Sequence, residues 1–266
     1  MSRRIRLDKL LSSMGHGSRA EIKRIVKAGR VAVDGQAEKD SGRIVDPQQE
    51  KVELDGQTVL FRDKIYLMLH KPPGVISATE DGRERTVIDL LAPEDRVLEP
   101  FPVGRLDKDT VGLLLLTNDG QLAHELLSPR KHVPKTYEAL VRSADPVGER
   151  ERALFQTGVE LDDGYVTMPA ELEVLGSREA DSADPGEEAD GGVLSSIRLT
   201  IREGKFHQVK RMFQAAGGRV VHLKRVSMGP LVLDDRLPIG SYRELTEEEL
   251  ASLQADALKA YREKLR

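Results

Sequence analysis

The segment Gly104-Arg105-Leu106-Asp107-Lys108-Asp109-Thr110-Val111-Gly112 puts a carboxylate in a polar loop just ahead of the apolar run Leu113-Leu114-Leu115-Leu116. An acid at the edge of a buried strand has a rigid base and stays open to a ligand. Asp107 is therefore a candidate for nucleophilic, electrostatic or proton-transfer chemistry, and equally a loop acid or cap; the residue alone leaves both open. Lys135-Thr136-Tyr137 opens a second strand-like run, and Glu203-Gly204-Lys205-Phe206-His207-Gln208-Val209-Lys210-Arg211-Met212-Phe213 is a basic, helix-patterned segment. Other chemistries are excluded or unsupported. The chain has no cysteine, hence no disulfide, thiolate zinc site or Cys nucleophile. It has no G-x-x-x-x-G-K-[ST] or G-x-G-x-x-G string, so no phosphate loop is indicated. Its six histidines are scattered without an H-E-x-x-H pattern, and no catalytic metal is expected.

These residues need elements to hold them. Strand-like runs lie at 66–69, 112–117, 136–141, 170–175, 196–201 and 220–223, and helical patterns at 86–91, 119–127, 145–156 and 206–216. Strands and helices mix without the regular alternation of a doubly wound fold, so the fold class is α+β. Ahead of them, Leu7, Leu10, Leu11 and Met14 have helical spacing, and Ser18-Arg19-Ala20-Glu21 reads as a capping box opening a second helix that ends near Gly29. Asp34-Gly35 and Asp55-Gly56 are turn signals between short strands. The stretch 177–192, rich in Ser, Asp, Glu and Gly, reads as a mobile surface insertion. Thr246-Glu247-Glu248-Glu249 caps a last helix.

Charge is unevenly spread. The net charge of the 266 residues is −4, yet residues 1–30 hold nine Lys/Arg against Asp8 and Glu21, and residues 202–225 hold seven against Glu203. Phosphate responds to local potential, so two basic segments in an acidic chain suggest a nucleic-acid partner; the bland reading is a pair of solvated helix faces. Arg19, Lys23 and Lys27 recur every four residues along one face of the second helix. No run of eighteen apolar residues suggests a membrane span, and Met1-Ser2-Arg3-Arg4-Ile5-Arg6 is unlike a secretory signal, so a cytoplasmic protein is expected.

The run RLDKLLSSMGHGSRAEIKRIVKAGRVAVDG resembles the RNA-binding domain first seen in ribosomal protein S-four, and GRLDKDTVGLLLLTNDGQLAHELLSP resembles the pseudouridine synthases of the RsuA type. The resemblance implies three parts. Residues 1–61 are an S-four-like domain of two helices and short strands, with Arg6, Lys9, Arg19, Lys23, Arg24, Lys27 and Arg30 toward RNA. Residues 62–245 are a catalytic domain with a mixed, largely antiparallel sheet flanked by helices, and 246–266 a C-terminal helix. It also implies that Asp107, after Gly-Arg-Leu, is the essential aspartate, that Tyr137 stacks on the target base, and that Lys210 pairs with the aspartate. Arg105, Leu223, His207 and Arg211 would contact the substrate nucleotide, with Leu223 drawn from the Leu223-Lys224-Arg225 motif.

The implied reaction converts a uridine of ribosomal RNA, most directly in the small (16S) subunit, to pseudouridine with no cofactor. The partner would be ribosomal RNA or a subunit precursor, and the protein a monomer. Large-subunit (23S) RNA and a non-catalytic ribosome-assembly role are the alternatives.

Overall fold

In a computed structural model that describes residues 4–181 and 192–263, the chain divides into two units. One comprises Met1–Ile65 with Leu91–Pro100, the other Tyr66–Leu90 with Phe101–Arg266.

The first unit contains β1 (Ile5–Arg6), α1 (Leu7–Ser13), α2 (Arg19–Lys27), β2 (Val31–Val33), β3 (Gln36–Glu38), β4 (Ile44–Val45), β5 (Val52–Leu54) and β6 (Gln57–Thr58). Ser18 caps α2 as expected: its hydroxyl accepts from the Glu21 N–H while the Glu21 carboxylate accepts from the Ser18 N–H. Gly29 follows the helix with φ +74°, a conformation that a residue with a Cβ adopts only at a cost. Asp34-Gly35 joins β2 to β3 and Asp55-Gly56 joins β5 to β6, all four at positive φ as a tight hairpin turn requires. Leu7, Leu10, Leu11, Ile22 and Val26 from the helices close over Val31, Val33 and Val52 from the strands in one apolar cluster. The short helix α3 (Pro93–Arg96) also belongs to this unit, where Asp95 accepts from Arg62 at 2.9 Å.

The second unit is α+β, built on a nine-stranded sheet. Its strands are β7 (Tyr66–Lys71), β8 (Phe101–Pro102), β9 (Val111–Thr117), β10 (Lys135–Ser143), β11 (Glu171–Glu179), β12 (Val193–Ile201), β13 (Arg219–Met228), β14 (Leu231–Val232) and β15 (Tyr242–Glu244). The order is β11-β12-β10-β13-β9-β7-β15, with β14 on β13 and β8 on β9. Every pairing is antiparallel except β13 with β9, so the sheet is mixed but largely antiparallel. At that parallel junction Gly112, at φ +108°, lies against the Arg225 backbone; a Cβ there would fall 2.2 Å from the Arg225 carbonyl oxygen.

Helices α4 (Gly120–Leu127), α5 (Glu149–Thr157), α6 (Gln208–Ala215) and α7 (Glu247–Glu263) complete the unit. Leu122 and Leu126 of α4 and Leu253 of α7 pack with Met68, Leu113 and Leu115, while Phe155 of α5 meets Phe213 of α6 edge to face at 5.0 Å. Three expectations change. The pattern at 86–91 yields only a single 3₁₀ turn, Ile88–Leu90. The helix expected from 145 begins at Glu149, because Pro146 and Gly148 hold the chain out of helical geometry. The insertion expected at 177–192 is strand at its near end, since β11 pairs with β12 through Glu179; residues 182–191 lie outside the described residues.

Candidate active site

Asp107 lies in the second unit on the loop between β8 and β9, and the loop is fixed from beneath. Lys71, the last residue of β7 and fully buried, points its ammonium at backbone carbonyls: Asp107 and Pro72 at 3.0 Å, Thr110 at 2.9 Å and Lys108 at 3.4 Å. Burial pulls Lys71 down to about 8, with Asp109 and Asp107 holding it up and Lys210 pushing it further down. The Gly74 N–H donates to the Lys108 carbonyl at 2.8 Å. Ser77 completes the clamp, its hydroxyl donating to the Leu106 carbonyl and accepting from the Leu106 N–H. A loop tied at this many points presents its carboxylate in one position, which is what a reacting group needs.

The side chain of Asp107 meets two groups from the start of α6. Lys210 Nζ lies 3.2 Å from Oδ2 and also donates to Asp109 Oδ1 at 2.6 Å; His207 Nε2 lies 3.5 Å from Oδ1. For Asp109, desolvation works to raise the carboxyl, but the Lys210 hydrogen bond and charge, with smaller help from its own N–H and His207, leave it below its ordinary value. His207 adopts φ +48° at the N-terminal cap of α6 and stacks on Phe206 at 3.8 Å between ring centroids. The turn before α6 is braced by Glu203, which accepts from Tyr165 Oη (2.6 Å), the Met168 N–H (2.8 Å) and Gln208 Nε2 (2.8 Å).

These elements enclose a cleft of about 370 Å³ lined by Asp107, Arg105, Tyr137, His207, Leu223 and Arg225, among others. Tyr137 and Arg225 are register partners on β10 and β13, and Leu223 stands two residues before Arg225, so all three side chains share one face of the sheet. Thus Asp107, Tyr137, Arg105, His207 and Leu223 are brought together, and Lys210 reaches the group through Asp107. Arg211 is not. It pairs with Asp162 and Asp163 and does not line the cleft. Successive helical residues point about 100° apart, so with Lys210 on Asp107 its neighbour must face elsewhere.

Sequence reasoning missed Lys71, Lys135, Glu203 and Arg225. A charged residue in the buried phase of a strand was the available signal for Lys71 and Arg225. Among the described residues no group of three or more His, Asp or Glu side chains is placed to hold a metal ion.

In the first unit Lys9, Arg19, Lys23, Arg24 and Lys27 are exposed. Arg6 and Arg30 are also exposed but engaged, Arg6 with Asp8 at 2.8 Å and Arg30 with Asp55 at 2.6 Å.

The chain belongs to the RNA pseudouridylate synthase family, which it matches over residues 65–215, and residues 5–59 match the S4 domain. It is 53% identical over 246 residues to the uncharacterized RNA pseudouridine synthase YtzG of Bacillus subtilis, covering 92% of this chain and 97% of that one. To the ribosomal small subunit pseudouridine synthase A of Escherichia coli it is 39% identical over 251 residues, 94% of this chain and 100% of the other. A crystal structure of a pseudouridylate synthase superposes with a TM-score of 0.60 at 33% identity, covering 94% of this chain and 99% of that one.

Proposed function

We propose that this RNA pseudouridine synthase acts in the cytoplasm on one uridine of small-subunit (16S) ribosomal RNA, with Asp107 as its essential carboxylate. The observation that carries the reading is the Asp107–Lys210 contact of 3.2 Å beside a cleft whose sheet face presents Tyr137. Substrate choice rests on the small-subunit synthases to which the chain is similar along nearly its whole length.

The reaction breaks the bond between N1 and C1′, turns the base, and joins C5 to C1′; C5 loses a proton and N1 gains one. Atoms balance without a cofactor. Lys210 sets a counter-charge 3.2 Å from the Asp107 carboxylate at the edge of the cleft. The Tyr137 ring offers a face for the base to stack on, and its hydroxyl a path for the C5 proton. Arg105, on the same loop as Asp107, fills the space left by the flipped nucleotide, because a stacked base is out of reach. Leu223 gives the base an apolar contact, and residues 1–61 recruit the RNA.

The test is a map of pseudouridine across ribosomal RNA from cells with and without the protein, restored with wild type or Asp107→Asn. One small-subunit position should lose its modification, return with wild type and stay unmodified with the amide, which keeps the shape and loses the charge. Loss confined to large-subunit RNA would overturn the substrate assignment, and turnover by purified Asp107→Asn would overturn the residue.

A further inference from the structure

Arg225 is 1% exposed, one of the two largest fully buried side chains, and it lines the cleft. Its Nε donates to the Leu113 carbonyl at 2.8 Å, while its Nη2 is buried with no hydrogen-bond partner. Among the described residues no carboxylate pairs with it. Burying a guanidinium without a counter-charge is costly, and leaving one of its donors unmet adds to the cost. A second cation shares the cleft: Lys135, two residues before Tyr137 on the same face of β10, donates only to the Val133 carbonyl, at 3.1 Å. Burial, and secondarily the charge of Arg225, bring Lys135 down to about 8. Thr110 Oγ1 is a further buried, unpartnered atom on the lining. Beside the tyrosine, the cleft therefore presents Arg225 and Lys135 with open hydrogen-bonding capacity.

We propose that Arg225, assisted by Lys135, binds a carbonyl oxygen of the target uracil and stabilises the negative charge that develops on the base as the reaction proceeds. The proposal rests on the function given above. Three routes are open to Asp107: attack on C1′, removal of a ribose proton, or addition to the electrophilic ring carbon C6. In the first two the electron pair of the N1–C1′ bond leaves with the base and spreads onto its carbonyl oxygens. In the third the ring's own π electrons move onto a carbonyl oxygen. On every route oxygen charge grows on the base, so a fixed donor there acts on the transition state more than on the bound uridine. A backbone phosphate is the other anion in reach, but it carries full charge before reaction and would be held by groups at the surface. Arg225 is buried alongside Tyr137, where the base stacks, which favours the base oxygen.

The experiment compares wild type, Arg225→Met and Lys135→Met on small-subunit RNA transcripts made with uridine or with 5-fluorouridine, free or assembled with small-subunit proteins. Single-turnover cleavage of the N1–C1′ bond, RNA affinity and thermal melting are read for each protein; in the fluorinated RNA C5 has no proton to lose, and the C5-joined base instead takes up water at C6. Fluorine withdraws electrons and already stabilises charge on the base, so it should substitute for the missing cation. On uridine RNA, Arg225→Met should slow rearrangement at least ~100-fold with affinity little changed. On 5-fluorouridine RNA the loss should shrink by about tenfold or more, following the acidity of the departing base. Lys135 makes no bond to β9, so Lys135→Met gives the same fluorine dependence, at smaller amplitude, if Arg225→Met fails to fold. An equal loss on both RNAs would make Arg225 a strut under Leu113, and a loss in affinity alone would make it a phosphate contact; either overturns the proposal. Wild type that forms no pseudouridine on any transcript would instead sink the function on which it rests.

Discussion

Two adjacent cations of α6 have divergent partners, and this separates them functionally. Lys210 is shared between Asp107 and Asp109, whereas Arg211 is held by Asp162 and Asp163. Lys210→Met strips the carboxylate of its counter-charge and is expected to lower turnover at least ~100-fold, as removal of an electrostatic contact at a reacting centre does. Arg211→Met should spare the chemical step and lower the melting temperature instead; rapid-quench assays and thermal melts of the two variants separate the effects. A chemical step hurt more by Arg211→Met would reverse the assignment. Tyr137 allows a finer division. Tyr137→Phe keeps the ring and should keep RNA affinity, slowing the late removal of the C5 proton. Tyr137→Ala should weaken binding by the value of one stacked base, about 1–3 kcal/mol. Equal affinity of wild type and the alanine variant would show that the ring does not stack on the target.

At the scale of elements, the loop that carries Asp107 depends on a strand it does not belong to. Lys71 ends β7, yet its ammonium organises the carbonyls of residues 107, 108 and 110. Lys71→Met would take one donor from each of those carbonyls, leaving Lys108 with the Gly74 N–H and Asp107 with the Thr110 N–H, at about 1–3 kcal/mol for any acceptor left unmet where water cannot reach. The expected result is a clear drop in stability to denaturant and a fall in kcat larger than any rise in KM, because the carboxylate loses its fixed position. A variant as active and stable as wild type would show that Ser77 and Gly74 suffice to hold the loop. Local pattern made much of this frame legible. The capping box at Ser18, the hairpin turns at Asp34-Gly35 and Asp55-Gly56, and most strands follow from short-range stereochemistry. Asp107 stood out through its motif, and the structure places it on the cleft. Lys71 and Arg225 were not, because their roles depend on which strands become neighbours: β7 beside β9, and β9 parallel to β13. Strand order is a property of the assembled sheet, and no window of neighbouring residues encodes it. The same limit explains Arg211, whose partners on the loop at 162–163 lie about fifty residues earlier in the chain.

At the scale of the whole chain, a protein of net charge −4 must approach a polyanion, and it concentrates positive charge in order to do so. Of the seven cations expected to face RNA in the first unit, Arg6 and Arg30 are partly neutralised by Asp8 and Asp55. Arg19, Lys23 and Lys27 on the exposed face of α2, with Lys9 and Arg24, are then the cations expected to supply the pull. Replacing those three by Gln tests this without disturbing the fold: Ser18 and Glu21 still cap the helix, Ile22 and Val26 still bury its other face, and Gln is a comparable helix former. Losing three phosphate contacts should flatten the dependence of log affinity on log salt by about two to three units. Turnover at saturating RNA should stay near wild type while KM rises, since binding lost equally from ground and transition states changes KM alone. Filter binding across a salt series, together with single-turnover rates at saturating RNA, makes both measurements. An unchanged salt slope would identify this face of α2 as merely solvated and move RNA recruitment to the basic segment at 202–225; a fall in the saturated rate with KM unchanged would mean that the first unit takes part in the chemical step.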